Sequence, residues 1–161
     1  MFEIDSIKGV WSTDEPVVVM TACDHEYYNQ FFERWREGFA RWPVHLHVHV
    51  IDVPPQKLPS QGAGITVTHE RTVDWDWTGM KRRYDHLPIP QWKKYKATYE
   101  WYCQSIRYYI LSRLLENCGS VIVTDVDAVA LRVPEPQQLA DLTKHTQFNI
   151  HKGRLYANFC N

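Results

Sequence analysis

Apolar residues along the chain form short continuous runs that alternate with segments of helical periodicity. Val17 to Met20 make an unbroken apolar run after Pro16, which predicts a strand buried on both faces of a parallel sheet. Apolar residues then recur at helical spacing until Pro43, so a helix follows, with Asp24 at its N-cap. The apolar face of this helix consists of Tyr28, Phe31, Phe32, Trp35, Phe39 and Trp42.

Two further strands are predicted in the next thirty or so residues. From Val44 to Ile51 apolar residues alternate with His45, His47 and His49, which is the period of a strand. Strand, helix and strand make one βαβ unit. After a loop rich in Pro and Gly, the run from Ile65 to Thr68 predicts a third parallel strand.

The second half of the chain begins with an irregular excursion, residues 73–94, which lacks sustained periodicity and has the length of a functional loop. Residues Tyr99 to Leu114 then predict a strong helix, with Gly119 as the residue after its C-cap. A strand leads directly to Asp125. A short helix through Leu139 and Leu142 follows Pro134 and Pro136, and the pattern beyond it is ambiguous.

The alternation of strands and helices predicts a doubly wound, Rossmann-like α/β fold with a mostly parallel sheet. A length of 161 residues suits a single domain, residues 1–161. Ligands of such sheets bind beyond the carboxyl ends of the strands. If the first strand and the strand before Asp125 are neighbours, Thr21 to Asp24 and Asp125 to Asp127 face one crevice.

Composition limits which partners and which cellular compartment are expected for this protein. A formal net charge of -1 offers no basic field for nucleic acid, so nucleic acid is not expected as a partner. The 4 cysteines have no Cys-x-x-Cys spacing, and free thiols are expected. Because no apolar run approaches the length of about 18 residues that spans a bilayer, we expect a soluble protein without a transmembrane segment, located in the cytoplasm.

The strongest chemical signal is the pair Asp125 and Asp127, which comes directly after the apolar run Val121 to Val123. Two carboxylates separated by one residue at a strand end can reach the same divalent cation. Hard cations such as Mg²⁺ and Mn²⁺ prefer oxygen ligands and usually accompany phosphates. A cation there would stabilise a departing nucleoside diphosphate as a Lewis acid.

The segment Tyr102 to Leu111, with Leu114, Leu115 and the run Val121 to Asp127, resembles the helix and Asp-x-Asp block of nucleotide-diphosphosugar transferases with the GT-A fold. The likeness is to the retaining, glycogenin-like group, family 8. The resemblance implies a hexosyltransferase that uses Mn²⁺ or Mg²⁺ and a UDP-sugar. It also implies that Arg107 contacts the sugar and phosphates of the donor.

The start of the chain is similar to the first strand of the same family and to its small-x-Asp-x-x-Tyr segment. The match implies that Ala22, Asp24 and Tyr27 contact the nucleoside, and that Thr21 and Val126 also line the donor site. The resemblance covers Val17 to Phe39 and Tyr99 to Val133. It leaves the sugar, the acceptor (saccharide, lipid or protein) and the stereochemistry open.

The chain departs from the family downstream of the Asp-x-Asp. The third metal ligand of the family, usually a His, lies far downstream, and His151 is the candidate here. The acceptor-binding half is expected to be short or missing. Phe148-Asn149 is only faintly similar to the Phe-Asn-x-Gly segment of the family.

Four alternatives stay open. The Asp125–Asp127 pattern also suits a haloacid-dehalogenase-like phosphohydrolase with Mg²⁺, although it normally opens that fold. A non-catalytic nucleotide-sugar-binding module is the second. The three histidines on one face of a strand could bind Zn²⁺. Trp75 and Trp77 could form a platform for an acceptor sugar, or pack a long loop.

Overall fold

The structure, a computed structural model, describes residues 7–11, 16–62, 64–72, 91–144, 148–151 and 154–157. Side chains are described in the same ranges apart from residues 91–98 and those after 141. The strands are β1 (Lys8–Gly9), β2 (Val17–Asp24), β3 (His45–Ile51), β4 (Ile65–Glu70), β5 (Ser120–Val123), β6 (Phe148–His151) and β7 (Arg154–Ala157). The α-helices are α1 (His25–Phe39), α2 (Gln91–Leu114) and α3 (Pro136–Lys144), and a 3-10 turn spans Pro55–Lys57.

Five of these strands form one mixed sheet in the order β1-β4-β3-β2-β5. The strands β2, β3, β4 and β5 run parallel, and β1 pairs antiparallel with β4. This arrangement is compatible with a Rossmann-like fold, and it confirms the predicted α/β class with a mostly parallel sheet. The strands β6 and β7 form a separate antiparallel pair, in a region where the sequence pattern was ambiguous.

The two long helices cover opposite faces of the sheet, because alternate residues of β2 belong to different cores. Val19 and Cys23 pack with the aromatic face of α1, while Val18, Met20 and Ala22 pack with α2. The buried α1 residues are Tyr28, Phe32, Trp35 and Phe39, and those of α2 are Tyr102, Ile106, Ile110, Leu111 and Leu114. The predicted apolar faces of both helices are confirmed.

Several predicted boundaries are wrong. The strand β2 extends four residues beyond Met20, to Asp24, and α1 ends at Phe39 rather than at Pro43. The helix α2 begins at Gln91, inside the expected excursion. Trp75, Asp76 and Trp77 lie outside the described residues.

Gly119 is not a helix cap, because α2 ends five residues earlier, at Leu114. The chain leaves that helix through a turn in which the Cys118 N–H donates to the Leu114 carbonyl at 3.1 Å. Gly119 instead approaches the backbone before β2, where a Cβ would lie 3.1 Å from the Pro16 carbonyl oxygen. The glycine signal in the sequence therefore marked a close backbone contact and not a helix end.

Candidate functional site

The parallel sheet changes winding direction between β2 and β5. These strands are hydrogen-bonded neighbours, with Met20 opposite Val123, while α1 and α2 pack on opposite faces. Crevices open at such switch points beyond the carboxyl ends of the strands. The predicted adjacency of the two chain segments, Thr21 to Asp24 and Asp125 to Asp127, is therefore confirmed at the level of the strands.

The turn after β5 is fixed by α1. The Thr124 N–H donates to the Met20 carbonyl at 2.9 Å, and the Trp35 indole N–H donates to the Thr124 hydroxyl at 2.8 Å. Val126 is buried in the core on the α1 side, and the Ala128 N–H closes the turn onto the Asp125 carbonyl. These contacts anchor the backbone on both sides of Asp125, which is itself exposed.

The Arg107 guanidinium of α2 contacts Asp125 directly. Its Nη1 lies 2.5 Å from the Asp125 carboxylate Oδ1, with side-chain exposures of 23% for Arg107 and 54% for Asp125. The Nε of Arg107 is buried and has no hydrogen-bond partner among the described residues. An anionic oxygen from a ligand would satisfy that donor, because guanidinium groups bind phosphate and carboxylate oxygens in a bidentate manner.

The carboxyl end of β2 supplies the other predicted contacts. The Asp24 carboxylate accepts a hydrogen bond from the Tyr27 N–H at 2.9 Å and caps α1, as predicted. Tyr28 packs in the core, while Tyr27 is 49% exposed and its ring lies tilted against that of Phe31, with 5.5 Å between the centroids. Tyr27 is thus the tyrosine available to a ligand.

Ala22 and Thr21 have different environments. Ala22 is buried on the same face of the sheet as α2 and therefore as Arg107. Thr21 is fully buried, and its hydroxyl has no hydrogen-bond partner within the described part of the chain. By strand alternation it faces the α1 side, so its side chain and that of Ala22 cannot line the same surface.

The positions of Asp125 and Asp127 can be compared with what a bound divalent cation requires. Asp125 and Asp127 are both exposed and lie on one turn, an arrangement that suits Mg²⁺ or Mn²⁺ held by one or two carboxylates together with phosphate oxygens and water. Among the described residues no group of three or more His, Cys, Asp or Glu side chains could hold a metal alone. The side chain of His151 lies outside the described residues, so its predicted role as a ligand remains a prediction.

A second polar cluster lies between β3 and β4, and sequence reasoning identified only its histidines. His45, His47 and His49 are 8%, 0% and 0% exposed. Their ring nitrogens contact side chains of the adjacent strand. We call this the histidine ladder, and it consists of His45, His47, His49, Thr66, Thr68 and Glu70.

Geometry argues against the zinc hypothesis for these histidines. Successive same-face residues of a strand lie about 6.6 to 6.8 Å apart, and each pair of rings is bridged by a threonine hydroxyl rather than converging on one point. A signal was present in the sequence, since Thr66, Thr68 and Glu70 alternate with the same period as the histidines. The pairing register that joins the two series comes only from the fold.

Burial dominates the pKa shifts around this cluster. Desolvation lowers the pKa of His47 to about 3, with the neighbouring His49 and His45 as further causes. Desolvation also raises the pKa of Tyr102, whose hydroxyl donates to the Glu70 carboxylate at 2.7 Å. The pKa of Cys103 is raised to about 12, by burial first and then by Asp24. The His47 ring in the middle of the histidine ladder is therefore neutral at physiological pH.

The cysteines for which the structure gives a position, Cys23, Cys103 and Cys118, are free thiols as predicted. Cys160 lies outside the described residues. No described helix is both long enough and apolar enough to cross a membrane.

The chain matches no known family model, no curated protein and no solved structure.

Proposed function

We propose that this protein is a metal-dependent glycosyltransferase with a GT-A-like fold that transfers a hexose from a nucleotide-diphosphate sugar, with a UDP-sugar as donor. One observation carries the proposal. Arg107 and Asp125 meet at the carboxyl ends of the strands next to the β2–β5 switch point, with the carboxylate half exposed and one guanidinium donor unused among the described residues. A diphosphate supplies the missing acceptor oxygen.

Each residue has a defined task in this proposal. Asp125 and Asp127 hold Mn²⁺ or Mg²⁺, which when bound neutralises diphosphate charge and assists departure of the nucleoside diphosphate. Arg107 binds a phosphate oxygen and keeps Asp125 oriented. Ala22, Asp24 and Tyr27 border the nucleoside, and the exposed ring of Tyr27 can stack on a base.

Val126 and Thr21 can contact a donor only through their backbone atoms in this proposal. The Val126 side chain is buried against α1, so Val126 reaches a ligand only through its backbone. The Thr21 side chain is enclosed on the opposite face from Ala22, and it contributes through the backbone of β2 as well. In this proposal both residues contribute backbone atoms, and not side chains, to the crevice.

The order of the strands favours a transferase over the phosphohydrolase alternative. In that class of hydrolases the Asp-x-Asp normally follows the first strand of the sheet, whereas Asp125 follows β5, after β2, β3 and β4. An aspartyl-phosphate mimic formed with beryllium fluoride on Asp125 would favour the hydrolase.

A thermal-shift screen of nucleotide sugars, with and without Mn²⁺, tests the proposal. A ligand at a hundred times its Kd stabilises the folded state by about 2.7 kcal/mol, which is about 5 to 10 °C in Tm for a protein of this size. We expect a UDP-sugar to give such a shift only with Mn²⁺, and Asp127→Asn to abolish it.

The matched control is Asp141→Asn, which removes an equally exposed carboxylate from α3 that contacts only Gln137 within the described residues. This variant is expected to keep the full shift. A shift with no hydrolysis or transfer of the sugar would identify a binding module instead. No shift with any nucleotide sugar would contradict the proposal.

A further inference from the structure

The histidine ladder is a continuous hydrogen-bonded chain along β3 and β4. Thr66 Oγ1 lies 3.1 Å from His45 Nε2 and 2.9 Å from His47 Nδ1. Thr68 Oγ1 lies 3.0 Å from His47 Nε2 and 3.0 Å from His49 Nδ1. Hydrogen bonds of normal length therefore connect His45 to His49 without a gap.

The chain ends on a buried carboxylate. His49 Nε2 lies 3.0 Å from Glu70 Oε1, which also accepts the Tyr102 hydroxyl at 2.7 Å. The Glu70 side chain is 1% exposed. Its Oε2 is buried and has no hydrogen-bond partner among the residues that the structure describes.

These contacts fix the position of every proton when the rings are neutral and Glu70 is ionised. A carboxylate only accepts, so His49 must carry its proton on Nε2 and accept at Nδ1 from Thr68. Thr68 then accepts from His47 Nε2–H, and the same argument passes through Thr66 to His45. All three histidines are Nε2–H tautomers, and every donor points toward Glu70.

A second complete ordering exists, with one proton more. In it Glu70 is a carboxylic acid that donates to His49 Nε2, and each histidine carries its proton on Nδ1. Conversion breaks the Nε2–H bond of each ring and the O–H bond of each threonine while the next O–H or N–H bond forms. The added proton comes from a hydronium ion of the solvent and binds His45 Nδ1, and the net products are a His45 Nδ1–H, a neutral Glu70 carboxyl and a water molecule.

We propose that the histidine ladder is a proton relay, in which one proton taken up at His45 near the amino end of β3 is matched by one proton on Glu70 at the carboxyl end of β4. The relay spans about 13 Å, the rise of four strand residues. The proton that reaches Glu70 binds at Oε1, the oxygen that His49 Nε2 and the Tyr102 hydroxyl contact. The relay does not depend on the proposed donor site.

Aromatic, charged and titratable side chains from several neighbouring elements surround the ladder. Trp11 stacks on the His47 ring at 6.2 Å between centroids, and the Arg113 guanidinium of α2 lies over Trp11. The lowered pKa of His47 accords with a His47 ring that stays neutral while a proton passes. The other titratable groups near the ladder are Lys8 and His69 from the β1–β4 side, Asp24 and Asp52 from the strand ends, and Tyr102 and Cys103 from α2.

Long-range ¹H–¹⁵N spectra of the histidine rings in the full chain test the relay at neutral pH. We expect His45, His47 and His49 to be Nε2–H tautomers. Thr68→Val removes the hydroxyl that links His49 to His47, so Glu70 no longer determines the tautomer of His47. We then expect His47 to become a mixture of both tautomers while His49 stays Nε2–H. Thr21→Val is the matched control, because it removes a buried hydroxyl that has no partner in the described residues.

The acid titration distinguishes a relay from a static ladder. As the ¹³C signal of the Glu70 carboxyl reports its protonation, the three rings should change to Nδ1–H with the same midpoint, and in Thr68→Val only His49 should follow Glu70. Circular dichroism monitors the fold. Independent midpoints, a His47 that ignores Thr68→Val, or unfolding before any ring changes tautomer would each overturn the relay.

Discussion

At the scale of single residues, the helical spacing placed Tyr28 on the apolar face of α1, and its burial confirms this. The neighbouring Tyr27 is exposed next to the Asp24 cap. Arg107 was assigned to phosphates by resemblance alone. Its contact with Asp125 depends on how α2 crosses β5, which the spacing of 18 residues cannot specify.

The histidines give a prediction about pH. A histidine whose pKa is about 3 in the folded state and about 6.5 unfolded binds more protons when unfolded, so stability is lost as pH falls below about 6.5. Each such proton contributes a slope of up to about 1.4 kcal/mol per pH unit. Urea unfolding between pH 7 and pH 4 should show this slope reduced in His47→Gln.

The control for that prediction is His25→Gln, at the first position of α1, where the ring contacts Asn29 and is not enclosed. Its slope should equal that of the wild type. Equal slopes for wild type and His47→Gln would mean that the His47 ring is not kept neutral by burial.

At the scale of elements, a part-buried side-chain hydrogen bond joins α1 to the residue that precedes Asp125. Trp35→Phe removes the indole donor to the Thr124 hydroxyl and keeps an aromatic ring in the core. We expect a loss of about 1 to 3 kcal/mol in the free energy of unfolding, because the Thr124 hydroxyl loses the indole donor and the smaller ring leaves part of the core unfilled. The thermal shift with Mn²⁺ and UDP-sugar should also shrink, since Thr124 precedes Asp125.

Trp42→Phe makes the same chemical change at a partly buried residue whose hydrogen bond is exposed, since the indole donates to the Arg132 carbonyl at 3.1 Å. Water can replace that donor, so the loss in denaturant unfolding should stay below about 1 kcal/mol. A larger effect for Trp42→Phe than for Trp35→Phe would contradict the anchoring role of α1.

The short edge strand β1 escaped sequence reasoning altogether, because two residues carry no periodicity. Gly9 has a φ of 126°, and a Cβ there would lie 2.2 Å from the Val67 carbonyl oxygen. Gly9→Ala is therefore expected to break the β1–β4 pairing and lower stability by about 1 to 3 kcal/mol in urea unfolding. Gly62→Ala, where a Cβ meets nothing within 4 Å, should be close to neutral.

At the scale of the whole molecule, the class of fold followed from the sequence because parallel strands bury both faces and read as continuous apolar runs. Three features did not follow. Strand order, the register that aligns His47 with Thr66, and the place of β1 all depend on contacts between distant segments. Local periodicity contains no information about which strands pair.

Some features of the candidate site likewise followed from the sequence, and others appear only in the fold. Asp125 and Asp127 were identified because two carboxylates directly after a buried strand can reach one cation, and Asp24 because it stands at a helix N-cap and matches the small-x-Asp-x-x-Tyr segment. The two chain segments lie side by side because β2 and β5 are adjacent. Thr124 and Trp35, which hold the turn in place, have no local signal. The buried acceptor role of Glu70 likewise appears only when β3, β4 and α2 are assembled.

The most direct test of the central claim is titration calorimetry of UDP with the wild-type chain, in the presence and absence of Mn²⁺. We predict binding that requires the metal, is lost in Asp127→Asn and is about ten- to hundredfold weaker in Arg107→Gln, since a charged hydrogen bond contributes about 1.5 to 3 kcal/mol. Asp141→Asn should bind as the wild type does. UDP binding that is independent of Mn²⁺ and unchanged in Asp127→Asn, or no binding at all, would contradict a diphosphate site at the β2–β5 switch point.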